Sequence, residues 1–319
     1  QDGRLKTKSP EGDEIELRIS TLPTAFGEKM VMRVFDPDVL VRSFEQLGFT
    51  KEDHETWNKM TSHPHGIIFV TGPTGSGKTT TLYSTLKQLA TSEVNVCTIE
   101  DPIEMVEPSF NQMQIQANID VDFAQGVKAM LRQDPDIIMI GEIRDLQTAD
   151  MAIQAALTGH LVLSTLHTND APSSVTRLID LGVPPYMISA TVLGVMAQRL
   201  VRTLCPNCKA PSETDPQAWD ELVRPFKMKM PETLYQPVGC LECRGTGYRG
   251  RMGVYETMPL RTTLKNHITR GADLETLTRA SLKSGMKPLR ISGAMKVAKG
   301  LTTIEEVMRV TPSQDILMG

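Results

Sequence analysis

The sequence predicts an α/β protein built on a parallel sheet with helices on both faces, and two observations predict it. Short apolar runs recur at GIIFVT (66–71), VNVCTIE (94–100), DIIMIGE (136–142) and HLVLSTLH (160–167). Helical patterns such as FAQGVKAMLRQ (123–133) and QTADMAIQAALT (147–158) lie between them. Strands that alternate with helices need crossover connections, and these make neighbouring strands parallel.

In chain order, EIELRIS (14–20) and KMVMRVF (29–35) alternate apolar and polar residues around TLPTAFGE and read as neighbouring strands. Two strands alone are marginal in water, so residues 1–38 are expected to be the C-terminal part of an α+β domain whose earlier part lies outside this chain. Residues 39–48 read as a linker, and a polar helix runs from Gly48 to about Ser62. The sheet domain is expected over 49–203. A loop-rich module with CPNC (205–208) and CLEC (240–243) occupies 204–250, and amphipathic helices such as LKNHITRGADLETLTRASLKSG (264–285) and TTIEEVMRV (302–310) fill 251–319. A chain of 319 residues suits this plan, because single cores stop growing at about 250–300 residues.

Composition narrows the function. The 34 basic residues against 38 acidic ones leave a net charge of -4, without the basic excess of a nucleic-acid binder. No apolar run is long enough to span a bilayer, and the opening QDGRLKTKSPEGDE is too polar for a signal peptide. Membrane contact is therefore expected through partners. Many of the 18 methionines, including Met130, Met139, Met151, Met187 and Met196, fall in apolar or helical stretches and read as core. Cys97 sits inside an apolar strand and reads the same way.

The segment GPTGSGKTT (72–80) follows a strand and precedes the helical TLYSTLKQLA. That is the setting a phosphate-binding P-loop, GxxxxGK(S/T), requires. Glycines let backbone N–H groups turn inward around phosphates, and the helix N-terminus adds its positive end. Gly72, Pro73, Thr74, Gly75, Ser76 and Gly77 would form the cradle. Lys78 would neutralise the β and γ phosphates, Thr79 would ligate Mg²⁺, and Thr80 would support the α-phosphate side.

In open parallel sheets, ligands bind beyond the carboxyl ends of the strands. Three such ends carry polar groups: Glu100, Asp101 and Glu104 after the second run, Glu142 with Arg144 and Asp145 after the third, and His167 after the fourth. A carboxylate near a γ-phosphate orients the attacking water or the Mg²⁺ shell, and Glu142 is the best placed. His167 is positioned to sense the γ-phosphate, whereas His160, at a strand start, reads as structural. Any one of these acids could instead cap a helix or pair with Arg144.

Four of the five cysteines form two CxxC pairs, Cys205/Cys208 and Cys240/Cys243, the spacing that two chelating arms of a tetrahedral Zn²⁺ site need. With four thiolates there is no open position, so the metal would be structural.

Together and in this order, GPTGSGKTT, TIEDPIE, DIIMIGEIRD and TGHLVLSTLHTNDA resemble the secretion ATPase superfamily, the motors of type II secretion and type IV pilus assembly. The resemblance runs from STLPTAFGEK to LTTIEEVMRV. It identifies the four stretches as the Walker A motif, the aspartate box, the Walker B region and the histidine box of a RecA-like P-loop domain. It implies a cytoplasmic homo-hexameric ATPase that uses ATP and Mg²⁺, is recruited by a partner and acts on an inner-membrane platform protein, without a nucleic-acid partner. By resemblance Glu142 takes the catalytic role, Glu100 and Glu104 belong to the site, and Arg18 and Arg33, with Arg4, come from the preceding domain to stabilise transition-state charge. The tetracysteine module is implied for secretion and pilus-extension motors rather than retraction motors. A RecA-like motor driven by nucleic acid and a scaffold that binds ATP without turnover are the rival readings.

Overall fold

The computed structural model describes residues 2–8, 12, 14–35, 42–213 and 215–313, apart from the side chains of residues 2, 4, 14, 16, 35 and 117. The chain opens with an antiparallel sheet of β1 (Asp2–Lys8), β2 (Glu14–Thr24) and β3 (Gly27–Phe35), in that order. β1 joins the two strands expected from the sequence. Its register places Arg4 opposite Arg18 and Arg18 opposite Arg33, so the three positions form one row across the sheet. Residues directly opposite in antiparallel strands share a face.

The short helix α1 (Phe44–Leu47) and α2 (Lys51–Thr61) each begin with a reciprocal capping box, Ser43 with Gln46 and Thr50 with Asp53. These caps satisfy helix-end N–H groups and fix where the helices start. The Tyr255 hydroxyl donates to Leu47 O at 2.8 Å, and Lys296 Nζ donates to Gly48 O, which ties this turn to the C-terminal part of the chain.

The main sheet has seven strands. β4 (Gly66–Thr71), β5 (Val96–Glu100), β6 (Asn111–Gln114), β7 (Ile137–Ile140) and β8 (Leu161–Leu166) carry the α/β rhythm. β9 (Val192–Leu204) and β12 (Tyr248–Pro259) complete the sheet in the order β12-β9-β4-β8-β7-β5-β6. β12 pairs antiparallel with β9, and every other neighbouring pair is parallel. Every residue of β4, β5, β7 and β8 is buried, as central strands covered on both faces require. The covering helices include α3 (Lys78–Leu89), α4 (Phe123–Met130), α5 (Leu146–Leu157), α6 (Ala171–Asp180) and α7 (Pro185–Thr191). One core cluster packs Trp57, Leu82, Tyr83 and Leu86 against Ile68, Val70 and Met139; the other packs Val127, Ala152 and Val175 against Ile67, Ile99 and Ile138. Cys97, Met130, Met139 and Met196 are buried, and Met151 and Met187 pack partly buried against the core.

The reading from sequence closed the sheet at residue 203 and gave 251–319 to helices. Instead, β12 returns to the sheet after the cysteine-rich segment, so that segment is the connection between the two last strands. It contains a small antiparallel pair, β10 (Ala210–Ser212) with β11 (Leu234–Gln236), and α8 (Pro216–Val223). β12 runs through YRGRMG before its apolar half, and this polar, glycine-containing start hides the strand from a search for apolar runs. The helices α9 (Thr262–Thr269), α10 (Leu274–Lys283), α11 (Leu289–Ala298) and α12 (Ile304–Val310) follow as expected. Among the described residues no helix is long and apolar enough to cross a membrane.

Candidate functional site

The carboxyl ends of β4, β5, β7 and β8 open onto one cavity of about 620 Å³, lined by residues 74–80, Glu100, Glu104, Glu142, Arg144, His167 and Arg33 among others. The loop from Gly72 to Gly77 turns sharply between β4 and α3. Gly72 has φ 150°, and a Cβ there would lie 2.5 Å from Gln198 O; Gly77, the N-cap of α3, has φ 86°. A side chain at Gly72 would meet backbone, and one at Gly77 would be strained by its left-handed φ and would meet the Gln198 amide 2.8 Å away. Gly77 offers no side-chain cap, so the first N–H groups of α3 have no partner from it. Such a helix start is suited to an anion.

Two more features of the loop fit a phosphate group. The Ser76 hydroxyl is buried without a hydrogen-bond partner among the described residues. Lys78 is buried, and its Nζ donates to Gly72 O at 2.7 Å and Pro73 O at 3.1 Å. Burial holds its pKa down to about 8, with the charge of Arg199 acting the same way and Glu142 opposing. An ammonium so poorly solvated gains from an arriving anion.

Glu142 stands two residues beyond β7 with little of its side chain exposed. Its Oε1 lies 2.5 Å from Arg144 Nη2 and its Oε2 lies 3.4 Å from His167 Nε2. Burial, followed by the charge of Lys78, lowers the His167 pKa below the usual imidazole value, so near neutral pH the ring is uncharged. Arg144 is mostly exposed beside this pair.

Glu100 is only 3% exposed, and both of its oxygens are engaged. Tyr83 donates to it at 2.6 Å, Thr98 at 2.6 Å and Gln112 at 3.2 Å. Glu104 pairs instead with the N-terminal sheet: Arg18 Nη1 lies 2.9 Å from its Oε2, and Arg18 Nη2 donates to Ile103 O at 2.8 Å. Arg18 and Arg33 also line a second cavity of about 550 Å³ beside Pro102. The side chain of Arg4 lies outside the described residues. His160 sits at the opposite end of β8, with Nδ1 2.9 Å from Ala155 O, in keeping with a structural part.

Sequence reasoning missed Tyr83, Leu200 and Arg251, the last two of which line the main cavity, and the buried pair Gln198 and Arg199 behind the phosphate loop. Tyr83 had a signal, being one helical turn beyond Thr79 on α3. The others lie on β9 and β12, which were not read as strands.

The four cysteine sulfurs converge, all within 4.8 Å of one another. Cys205 and Cys240 Sγ are 3.9 Å apart, Cys208 and Cys243 3.8 Å, and Cys240 and Cys243 3.7 Å; none is disulfide-bonded. Four sulfurs each about 2.3 Å from a central Zn²⁺ stand about 3.8 Å apart in a regular tetrahedron, so the donor set fits that ion. Backbone N–H groups of Gly239, Cys240 and Gly247 point at the sulfurs. Burial pushes the Cys243 thiol up, but the N–H groups of Cys240 and Gly247 and the neighbouring Cys240 and Cys208 prevail and hold it at about 6, whereas burial pushes Cys208 up to about 11.

A parallel sheet with a phosphate loop after its first strand, acids at the neighbouring strand ends and a histidine beyond the next defines a RecA-like P-loop domain. The solved structures agree on the fold. The pilus retraction motor PilT with bound ADP superposes with a TM-score of 0.69 at 25% identity, covering 98% of this chain and 78% of that one. The ATPase DotB of Legionella pneumophila gives 0.69 at 22% identity, with 97% and 76% covered. The family model for "Type II/IV secretion system protein" matches residues 1–309, and the chain belongs to that family. Among curated relatives, the type IV pilus assembly ATPase TfpB of Acinetobacter baylyi is 65% identical over 98% of this chain and 53% of its own length. The type II secretion system ATPase E of Vibrio cholerae is 46% identical over 98% of this chain and 61% of its own length. The chain thus spans a little over half the length of these relatives.

Proposed function

We propose that this chain is the ATP-hydrolysing portion of a motor for type IV pilus assembly or type II protein secretion. The observation that carries the reading is the convergence of Lys78, Glu142 and His167 on one cavity above the phosphate loop. The triphosphate lies along residues 72–80, with Lys78 on its β and γ phosphates and the free N–H groups of α3 turned to it. Thr79 would hold Mg²⁺, which neutralises charge on the transferring phosphoryl group. Glu142 accepts a proton from, or orients, the attacking water. Glu104 and Glu100 hold the loop between β5 and β6, Glu104 by receiving Arg18 and Glu100 through its three donors. Arg33, with Arg18, supplies positive charge from the N-terminal sheet as charge spreads over the γ-phosphoryl oxygens.

The four cysteines would hold a structural Zn²⁺ that clamps the connection between β9 and β12. We further propose a homo-hexamer in the cytoplasm that pushes on an inner-membrane platform protein after recruitment by a partner, with no nucleic acid involved. The higher identity to the pilus assembly relative favours the pilus side. Phosphate release by the purified protein with Mg-ATP tests the enzymatic reading: Lys78→Ala and Glu142→Ala should abolish it, and turnover that persists in both sinks the assignment. Release stimulated only by added DNA would favour the nucleic-acid motor, and binding without release the scaffold.

A further inference from the structure

Two buried residues of β9 sit behind the phosphate loop without lining the cavity. Gln198 is 1% exposed; its Oε1 accepts from Thr81 Oγ1 at 2.8 Å, and its Nε2 lies 2.8 Å from where a Cβ at Gly77 would be. Arg199 is 5% exposed. Its Nη1 donates to Gln198 O at 2.9 Å and would lie 3.0 Å from a Cβ at Gly72, while its Nη2 donates to Asn169 O at 2.8 Å. One planar guanidinium therefore bonds the carbonyl of its neighbour Gln198, which packs against Gly72 of the phosphate loop, on one side and the backbone of the His167 loop on the other.

A buried guanidinium is costly unless it is balanced. Here burial lowers the Arg199 pKa, and the charges of Glu256 on β12 and Asp170 at the N-cap of α6 act against it. The Glu256 carboxylate accepts from Ala171 N at 2.7 Å and Leu289 N at 3.2 Å, the first residues of α6 and α11. It thus holds the far end of the same loop.

We propose that Arg199, with Glu256 at the far end of the same loop, is a positioning residue that keeps the phosphate loop 72–77 and the loop 167–170 at a fixed spacing, so that His167 meets the γ-phosphate. This rests on the ATP reading and on His167 as its γ-phosphate contact. The role is invisible from the cavity because Arg199 acts through the backbone of Asn169, two residues from the imidazole.

The test compares the affinities of the purified chain for a non-hydrolysable ATP analogue and for ADP, each with Mg²⁺. Measured above about pH 7, where the Glu256 carboxyl is ionised, Arg199→Gln combined with Glu256→Gln removes both charges together. This double variant should lose about tenfold in its preference for the analogue over ADP, with ADP affinity changed less than about twofold. Arg199→Lys keeps the charge but not the fork, and should fall between. His167→Ala should lose the same preference. If the double variant keeps the wild-type preference while His167→Ala loses it, the inference is wrong. Equal weakening of both nucleotides with a lower melting temperature makes the pair a plain structural brace and also overturns it. A wild type without preference, or His167→Ala that keeps it, removes the His167 reading. Failure of either nucleotide to bind removes the ATP reading, and the inference falls with it.

Discussion

Arg18 and Arg33 stand directly opposite each other on β2 and β3, and the register puts Arg4 on the other side of Arg18. Like charges facing one another across strands destabilise a sheet, so such a row calls for an anion. Arg18 has Glu104, while Arg33 lines the cavity above the phosphate loop. Removal of Arg33 as Arg33→Ala should therefore lower the maximal rate of phosphate release by about 10³-fold, the low end for an arginine that meets transition-state charge. ATP affinity should change little. Steady-state kinetics separate the two, and an unchanged maximal rate would leave Arg33 without a catalytic part.

Glu142→Gln preserves size while removing the basic oxygen beside His167. Turnover should drop by about 10²- to 10⁴-fold, with nucleotide still bound when followed by a fluorescent ATP analogue. Loss of binding in parallel with turnover would mean that Glu142 builds the pocket rather than acting in it.

The depressed Lys78 ammonium makes nucleotide binding pH-dependent. Its charged form dominates below about 8 and is lost as pH rises through that value. Affinity for Mg-ATP should accordingly weaken between about pH 7 and about pH 9, one unit on either side of that pKa. Lys78→Arg, which keeps its charge throughout, should flatten the dependence. Equilibrium binding across that range is the measurement.

Glu256 gives a stability signature of opposite cause. Burial, with Asp170 adding to it, raises its pKa from 4.5 to about 7, against the N–H groups of Ala171 and Leu289 and the charge of Arg199; Arg290 shares the small cavity beside it. Because the folded state then holds a proton the unfolded chain has lost, stability should decline as pH rises from about 4.5 to about 7 and level off above. Glu256→Gln should remove that slope, read as melting temperature against pH.

The metal reading makes a direct demand: one zinc per chain by elemental analysis. Cys243→Ser should lose that zinc and lower the melting temperature, and a chain that purifies metal-free yet equally stable would refute a structural ion.

How much of this was readable in advance follows from burial chemistry. β4, β5, β7 and β8 are covered on both faces and therefore spell continuous apolar runs, so their ends, and with them Lys78, Glu142 and His167, were placed from the residues alone. β9 escaped because Gln198 and Arg199 interrupt its apolar run, although both are buried. A polar residue inside a strand reads as surface until its partners are known, and those partners, Thr81, Asn169 and Glu256, are distant in sequence. The cysteine spacing pointed to a cluster, but not to its place between two paired strands. Likewise, Glu100 reads from the sequence as a strand-end site acid; only the tertiary fold brings Tyr83 and Gln112 to it.

That the cysteine cluster is spliced between β9 and β12 has a mechanical result. Leu204 faces Tyr248 in the ladder immediately before Cys205, so the sulfurs begin where the last rung ends. Closed by a metal, a tetrathiolate knot at that spot would work like a stitch at the hem of a woven cloth: it would stop the outermost strand from unravelling, a strand that also carries Arg251 on the wall of the cavity.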